Sequence, residues 1–152
     1  MKMQPYEYMK KALELARQAA AEDEVPVGAI VVDPQTGEIV ASAYNQSAHN
    51  GDATSHAEIS AIRQACTKLG TTRLWDMEMY VTLEPCTMCT AAISFARIKK
   101  LYFGATDAKG GAVISGVKFY DSPTCHHRPQ YEYGLCAEEC GQILKDFFKK
   151  KR

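Results

Sequence analysis

The chain has 152 residues, 46% of them hydrophobic and 24% charged, and its formal net charge is zero. That length suits one domain spanning residues 1–152 around one core. No apolar run approaches the ~20 residues of a membrane-spanning helix, so an integral helical membrane protein is excluded.

In chain order, Met9, Ala12, Leu13, Ala16 and Ala20 recur at helical spacing and predict an amphipathic helix over residues 5–21, ended by the acidic "EDE" and Pro26. The runs "PVGAIVVD" and "GEIVASAYN" flank "PQTG" and predict a β-hairpin. "QSAHNGDAT" follows as a polar loop. "SHAEISAIRQACTKLG" predicts a helix with Ile59, Ile62, Ala65 and Cys66 on one face and Gly70 as its C-cap. "MEMYVTLE" predicts a strand, "CTMCTAAISFARI" a helix and "KKLYFGAT" a further strand. Residues 107–134 show no clear period and are read as a functional loop or as short elements that cannot be placed. A last helix sets Cys136, Cys140, Ile143, Leu144 and Phe147 on one side. The order β-β-α-β-α-β predicts an α/β layer architecture: an antiparallel first hairpin, a partly parallel sheet, and helices on both faces.

The start "MKMQPYEYMKK" lacks the apolar core of a secretory signal, which predicts a cytoplasmic protein. In a reducing compartment the six cysteines are not expected to form a disulfide framework, and a C-x-x-C points to metal binding or redox chemistry. Charge is unevenly spread: seven basic against twelve acidic residues in 1–96, eleven against six in 97–152, with the ending "DFFKKKR". Such a molecule can attract a polyanion to one face, although a short basic ending is also plain solvated surface.

Two helix starts carry the chemistry. His56-Ala57-Glu58 follows the polar loop, and Pro85-Cys86-Thr87-Met88-Cys89 follows a strand. Cys86 and Cys89 lie three residues apart, so both sulfurs reach one point, and a helix N-terminus favours thiolates. Thiolates and imidazole suit Zn²⁺, and three ligands leave a fourth, catalytic position open. Glu58 stands ready to move protons there. Other readings exist. Ser55-x-x-Glu58 also matches a helix capping box, in which Glu58 caps a backbone N–H. The C-x-x-C is also half of a zinc ribbon or a redox pair, although the second C-x-x-C of a ribbon is missing.

H-x-E followed by P-C-x-x-C is the signature of the zinc-dependent nucleoside and nucleobase deaminases. Along nearly its whole length the chain resembles the bacterial tRNA-specific adenosine deaminases, through "EVPVGAIVV", "YN", "HAEI", "YVTLEPCTMC", "FGATDAKGG" and a terminal "FF" followed by basic residues. The resemblance implies a three-layer α/β/α fold with a five-stranded mixed sheet and a homodimer. It implies one Zn²⁺ per chain on His56, Cys86 and Cys89. It also implies conversion of the wobble adenosine of a tRNA anticodon stem-loop, typically in an arginine tRNA, to inosine. In the family a zinc-bound hydroxide attacks carbon 6 of adenine with Glu58 as proton shuttle. The resemblance further places Asn45 on the target nucleoside, Val27 and the backbone of Ala57 and Glu84 on the base pocket, Asp107 and Lys109 beside anticodon nucleotides, and Phe148 and Arg152 on the RNA. Read without it, each of these has a plain structural role: strand end, core, turn cap, packing or solvated surface.

Two alternatives remain. One is a deaminase of free bases or nucleotides, which has no need of a basic C-terminal half; the other is a structural or RNA-binding zinc protein without turnover. Cys125-His126-His127 is read as a surface loop in preference to a second metal site, and Cys136 and Cys140 as small buried apolar groups.

Overall fold

The computed structural model describes residues 2–151. Five strands, β1 (Gly28–Val32), β2 (Ile39–Tyr44), β3 (Glu78–Leu83), β4 (Lys100–Ala105) and β5 (Gln130–Tyr133), form one sheet in the order β2-β1-β3-β4-β5. β1 pairs antiparallel with both β2 and β3, while β3–β4 and β4–β5 are parallel, so the sheet is mixed. The helices are α1 (Pro5–Ala21), α2 (Ser47–Asn50), α3 (Ala57–Leu69), α4 (Thr87–Phe95) and α5 (Ala137–Lys150).

Period-2 alternation in the central strands divides the apolar residues between two faces. Ile30, Val32, Tyr80 and Tyr102 pack with Tyr8, Met9, Ala12 and Leu13 of α1 and Cys140 of α5. Ala29, Val31, Met79, Val81, Leu101 and Phe103 pack with Ala57, Ala61 and Ala65 of α3 and Ile93 of α4. The expected three-layer α/β/α architecture is therefore present, with the core split by the sheet into two apolar layers instead of forming one. Within the first layer the Tyr80 and Tyr102 rings stack at 4.4 Å. Gly28 lets α1 lie directly on β1: a Cβ there would come within 2.1 Å of the Ala12 carbonyl oxygen.

Three expectations need correction. The polar loop after β2 contains the one-turn helix α2, closed by Gly51 in the left-handed conformation. The aperiodic stretch 107–134 holds a 3-10 turn at Phe119–Asp121 and the fifth strand, β5. All four β5 residues are exposed, so the strand has no buried face to print an alternation on the sequence. Finally, the buried stripe of α3 is Ala57, Glu58, Ala61 and Ala65, with Ile59, Ile62 and Cys66 only partly buried. Small side chains face the sheet because α3 packs closely on β1 and β2, and Gly70 caps the helix as expected.

This frame positions the site. β3 and β4 run parallel, so their C-terminal ends open on the same edge, where ligands bind in open α/β sheets. The antiparallel β1 brings its beginning, Val27 and Gly28, to that edge.

Candidate active site

α3 and α4 begin at this edge. Their N-caps are His56 (φ −72°, ψ 155°) and Cys86 (φ −71°, ψ 176°), both extended and neither using its side chain to cap the helix. An N-cap normally spends its side chain on a free backbone N–H, so these two are available for another partner. Cys89 stands three residues beyond Cys86, in the first turn of α4, and is fully buried.

His56, Cys86 and Cys89 form a group whose ligand atoms all lie within 4.8 Å of one another. The His56 Nδ1 is 3.6 Å from each sulfur. Zinc bonds of ~2.3 Å to sulfur and ~2.05 Å to nitrogen, set at a tetrahedral angle, put S and N roughly 3.6 Å apart. The donor set and its spacing therefore fit a tetrahedral zinc with one position left open. It is the one such cluster among the described residues.

The electrostatics follow from this crowding. Hydrogen bonding from Cys89, with help from His56, pulls the Cys86 thiol down to about 4. Cys89, bonded to that thiolate and buried, is pushed up, and the His56 imidazole is raised by its bond to Cys86. The hydrogen bonds within the cluster thus favour the thiolate at Cys86. Glu58, in the first turn of α3, is 4% exposed, and burial pushes its carboxyl up to about 7. At that value a carboxyl both takes and returns a proton near neutral pH. The capping-box alternative fails here: the N-cap is His56, and the Ser55 hydroxyl donates to Asp52 at 3.0 Å.

A cavity of about 160 Å³ opens onto these groups. Its wall includes Val27, Ala57, Glu84 and Asp107 from the sequence-derived set, together with His56, Glu58 and Cys86; Val25, Leu83 and Gly110 were not anticipated. At well under the roughly 300 Å³ where sites for drug-sized ligands begin, it suits one base in preference to a whole nucleotide. The remaining candidates lie elsewhere. Asn45 is buried next to the wall, with its backbone N–H donating to the Val27 carbonyl at 3.0 Å. Lys109 is exposed on the loop beyond Asp107, and Phe148 is 47% exposed on α5, away from the cavity wall. Arg152 lies outside the described residues. Of the Cys125-His126-His127 run, the half-buried His127 is tied by Nε2 to the Ile98 carbonyl at 2.7 Å, and Cys125 is buried against Ser94. That segment is thus a latch onto the end of α4. Cys140 is buried as expected, and Cys136 is half-buried in the left-handed conformation.

Glu84 contributes more than backbone to the wall. Its buried carboxylate accepts from the N–H groups of Asp107, Val113, Ile114 and Ser115 at 2.9–3.1 Å and from the Ser115 hydroxyl at 3.0 Å. It thereby gathers the 107–115 loop over the cavity. Gly111 is required for this approach, since a Cβ there would meet the Glu84 carboxyl carbon at 2.3 Å. Glu84→Ala would strand those donors in a buried setting, and we expect a loss of more than about 3 kcal/mol in urea unfolding. A loss under about 1 kcal/mol would mean that water satisfies the loop unaided.

A model of the MafB19-like deaminase family matches residues 3–152. The tRNA-specific adenosine deaminase of Agrobacterium fabrum is 53% identical over 145 residues, covering 95% of this chain and 94% of that one. A solved structure from a study of A-to-I editing by tRNA:A34 deaminases at the wobble position of transfer RNA is 53% identical, with a TM-score of 0.88 over 91% of this chain and 99% of that one. The guanine deaminase of Bacillus subtilis is more distant, at 32% identity and a TM-score of 0.67 over 98% and 94% of the two chains. The chain therefore belongs to the deaminase family that includes the tRNA-specific adenosine deaminases.

Proposed function

We propose that the chain is a single-domain tRNA adenosine deaminase that hydrolyses the wobble adenosine of an anticodon stem-loop, typically that of an arginine tRNA, to inosine and ammonia. The observation that carries this reading is the open His56–Cys86–Cys89 cluster with Glu58 beside it, facing a base-sized cavity, in a chain so similar to such enzymes. His56, Cys86 and Cys89 would hold a zinc ion, which would supply Lewis acidity and make water acidic enough to ionise near neutral pH.

The chain's own residues do the rest. Glu58 takes one proton of the attacking water and hands it to ring nitrogen 1 of adenine, then carries the proton of the new carbon 6 hydroxyl to the amine, which leaves as ammonia as the C–N bond breaks. Val27, Ala57 and the Glu84 backbone enclose the base and exclude bulk water. Asn45 holds the nucleoside, while Asp107 and Lys109 meet neighbouring anticodon nucleotides. Phe148 offers a stacking face, and the basic end of α5 with Arg152 meets phosphates. Homodimer formation would cover exposed apolar side chains such as Trp75 and Phe95, which are 55% and 70% exposed. Among the described residues no helix is long and apolar enough to cross a membrane, and the proposed place of action is the cytoplasm, where tRNA is found.

The test is incubation of zinc-loaded protein with a tRNA bearing adenosine at the first anticodon position, followed by digestion to nucleosides. Inosine should appear, and it should not form after chelation. Replacing Lys149, Lys150 and Lys151 by Ala should weaken tRNA binding and make the slope of log affinity against log salt shallower, by about 0.7–0.9 for each phosphate that these lysines neutralise. Lys151 also pairs with Asp23 of the α1–β1 connection, so its charge is partly committed within the fold. An unchanged slope would make the ending plain solvated surface.

A further inference from the structure

Glu24 is a buried carboxylate, 2% exposed, that the proposed chemistry does not use. It lies in the connection between α1 and β1, next to Val25 in the cavity wall. Its oxygens accept from the backbone N–H of Ala48 at 3.2 Å and of His49 at 2.7 Å. One also meets the His49 Nδ1 at 2.6 Å. These partners belong to α2, a one-turn helix with no side-chain cap of its own. A helix that short does not hold itself together.

The same carboxylate faces Asn45. The Asn45 Nδ2 lies 3.5 Å from Glu24, a long contact, while the Asn45 Oδ1 accepts from the Ser47 hydroxyl at 3.1 Å. A carboxylate can only accept, so it rejects the amide oxygen and selects the orientation that turns the NH₂ toward it. Ser47 enforces the same choice from the other side. Asn45 is left with one N–H and one lone pair, in a fixed order, without a partner among the described residues. The bond from Glu24 raises the His49 imidazole, helped by the nearby charges of Glu22 and Asp23. Burial works to raise Glu24, but the His49 and Ala48 bonds outweigh it and hold the group low. Both shifts favour the charged forms, and a charged carboxylate holds backbone N–H groups more strongly than a neutral one.

We infer that Glu24 is a positioning residue that, clamped by His49, fixes α2 and sets the orientation of the Asn45 amide toward the bound nucleoside. The second half of this statement rests on the proposed role of Asn45. The test uses zinc-loaded Glu24→Ala, Asn45→Ala and the double variant, with Glu24→Gln as a volume-conserving control. Amide hydrogen exchange at Ala48 and His49 should accelerate at least ~100-fold in Glu24→Ala, with zinc content and α3 protection unchanged. The kcat on tRNA should fall about 10- to 100-fold in each single variant, and the double variant should be no worse than the poorer single one. Glu24→Gln, which keeps only one good acceptor, should lie between wild type and Glu24→Ala; if Glu24→Ala does not fold, the same exchange and kcat losses, smaller in size, are read from it. Unchanged exchange, or multiplicative losses in the double variant, would overturn the inference. Faster exchange in a protein whose wild type makes no inosine would contradict the proposed function instead, and leave the clamp on α2 standing.

Discussion

Glu58→Ala is expected to keep one zinc per chain and a normal circular dichroism spectrum while deamination falls by at least about 10²–10⁴-fold. The side chain is not among the three clustered ligands, so its removal leaves the tetrahedral spacing intact. What disappears is a buried carboxyl beside that cluster, the group held near neutral pH by burial. Stability should hold, because the chain gives up a carboxyl whose ionised form is disfavoured where it sits. Zinc content by mass spectrometry under native conditions, with single-turnover kinetics on tRNA, reads both halves. Substantial activity in this variant would remove Glu58 from the shuttle, and lost zinc would move it into the ligand set.

Cys86→Ser is expected to abolish zinc binding and to lower the melting temperature. The Cys86 thiol is the one that the local hydrogen bonds bring to about 4, so it is the ready anionic ligand of the three. A serine hydroxyl in the same place stays protonated and offers zinc a far poorer bond. A metal present at about a hundred times its dissociation constant stabilises the native state by about 2.7 kcal/mol. For a domain of this size that corresponds to roughly 5–11 °C in melting temperature. Chelated wild-type protein should melt at a similar temperature to the variant. Normal zinc stoichiometry in Cys86→Ser would contradict the ligand assignment, and an unchanged melting temperature would mean that the α3 and α4 N-termini are held without metal.

These two residues were legible in the sequence because their signal is local. H-x-E and P-C-x-x-C each sit at a helix start, and helix starts announce themselves through the strand or loop before them. The central strands were legible for the same reason: Ala29 and Val31 face one layer and Ile30 and Val32 the other, so burial on both faces prints a continuous apolar run. β5 left no such trace, because an edge strand with every side chain exposed is not constrained to alternate. α2 was hidden by its length, being one turn held by a distant glutamate.

The buried glutamates were the harder case. Glu24 sits in "EDE", beside two acidic residues of the same appearance, and reads as a helix stop. Only the fold shows that its chain position, just before β1, turns it inward under α2. Glu84 was singled out for its backbone, yet its carboxylate gathers a loop about 30 residues further along the chain. Such long-range bonds carry no periodicity or fixed spacing that a single sequence could display. Nor does the sequence say that Asn45 is tied through its backbone N–H to Val27 in the cavity wall.

The most direct test of the account is a side-by-side rate measurement on three substrates: an anticodon stem-loop with adenosine at the wobble position, free adenosine, and free guanine. Inosine is expected in the stem-loop, at a rate that falls as salt is raised, with little or no turnover of the free compounds. Deamination of guanine or free adenosine, with the stem-loop left unchanged, would contradict it.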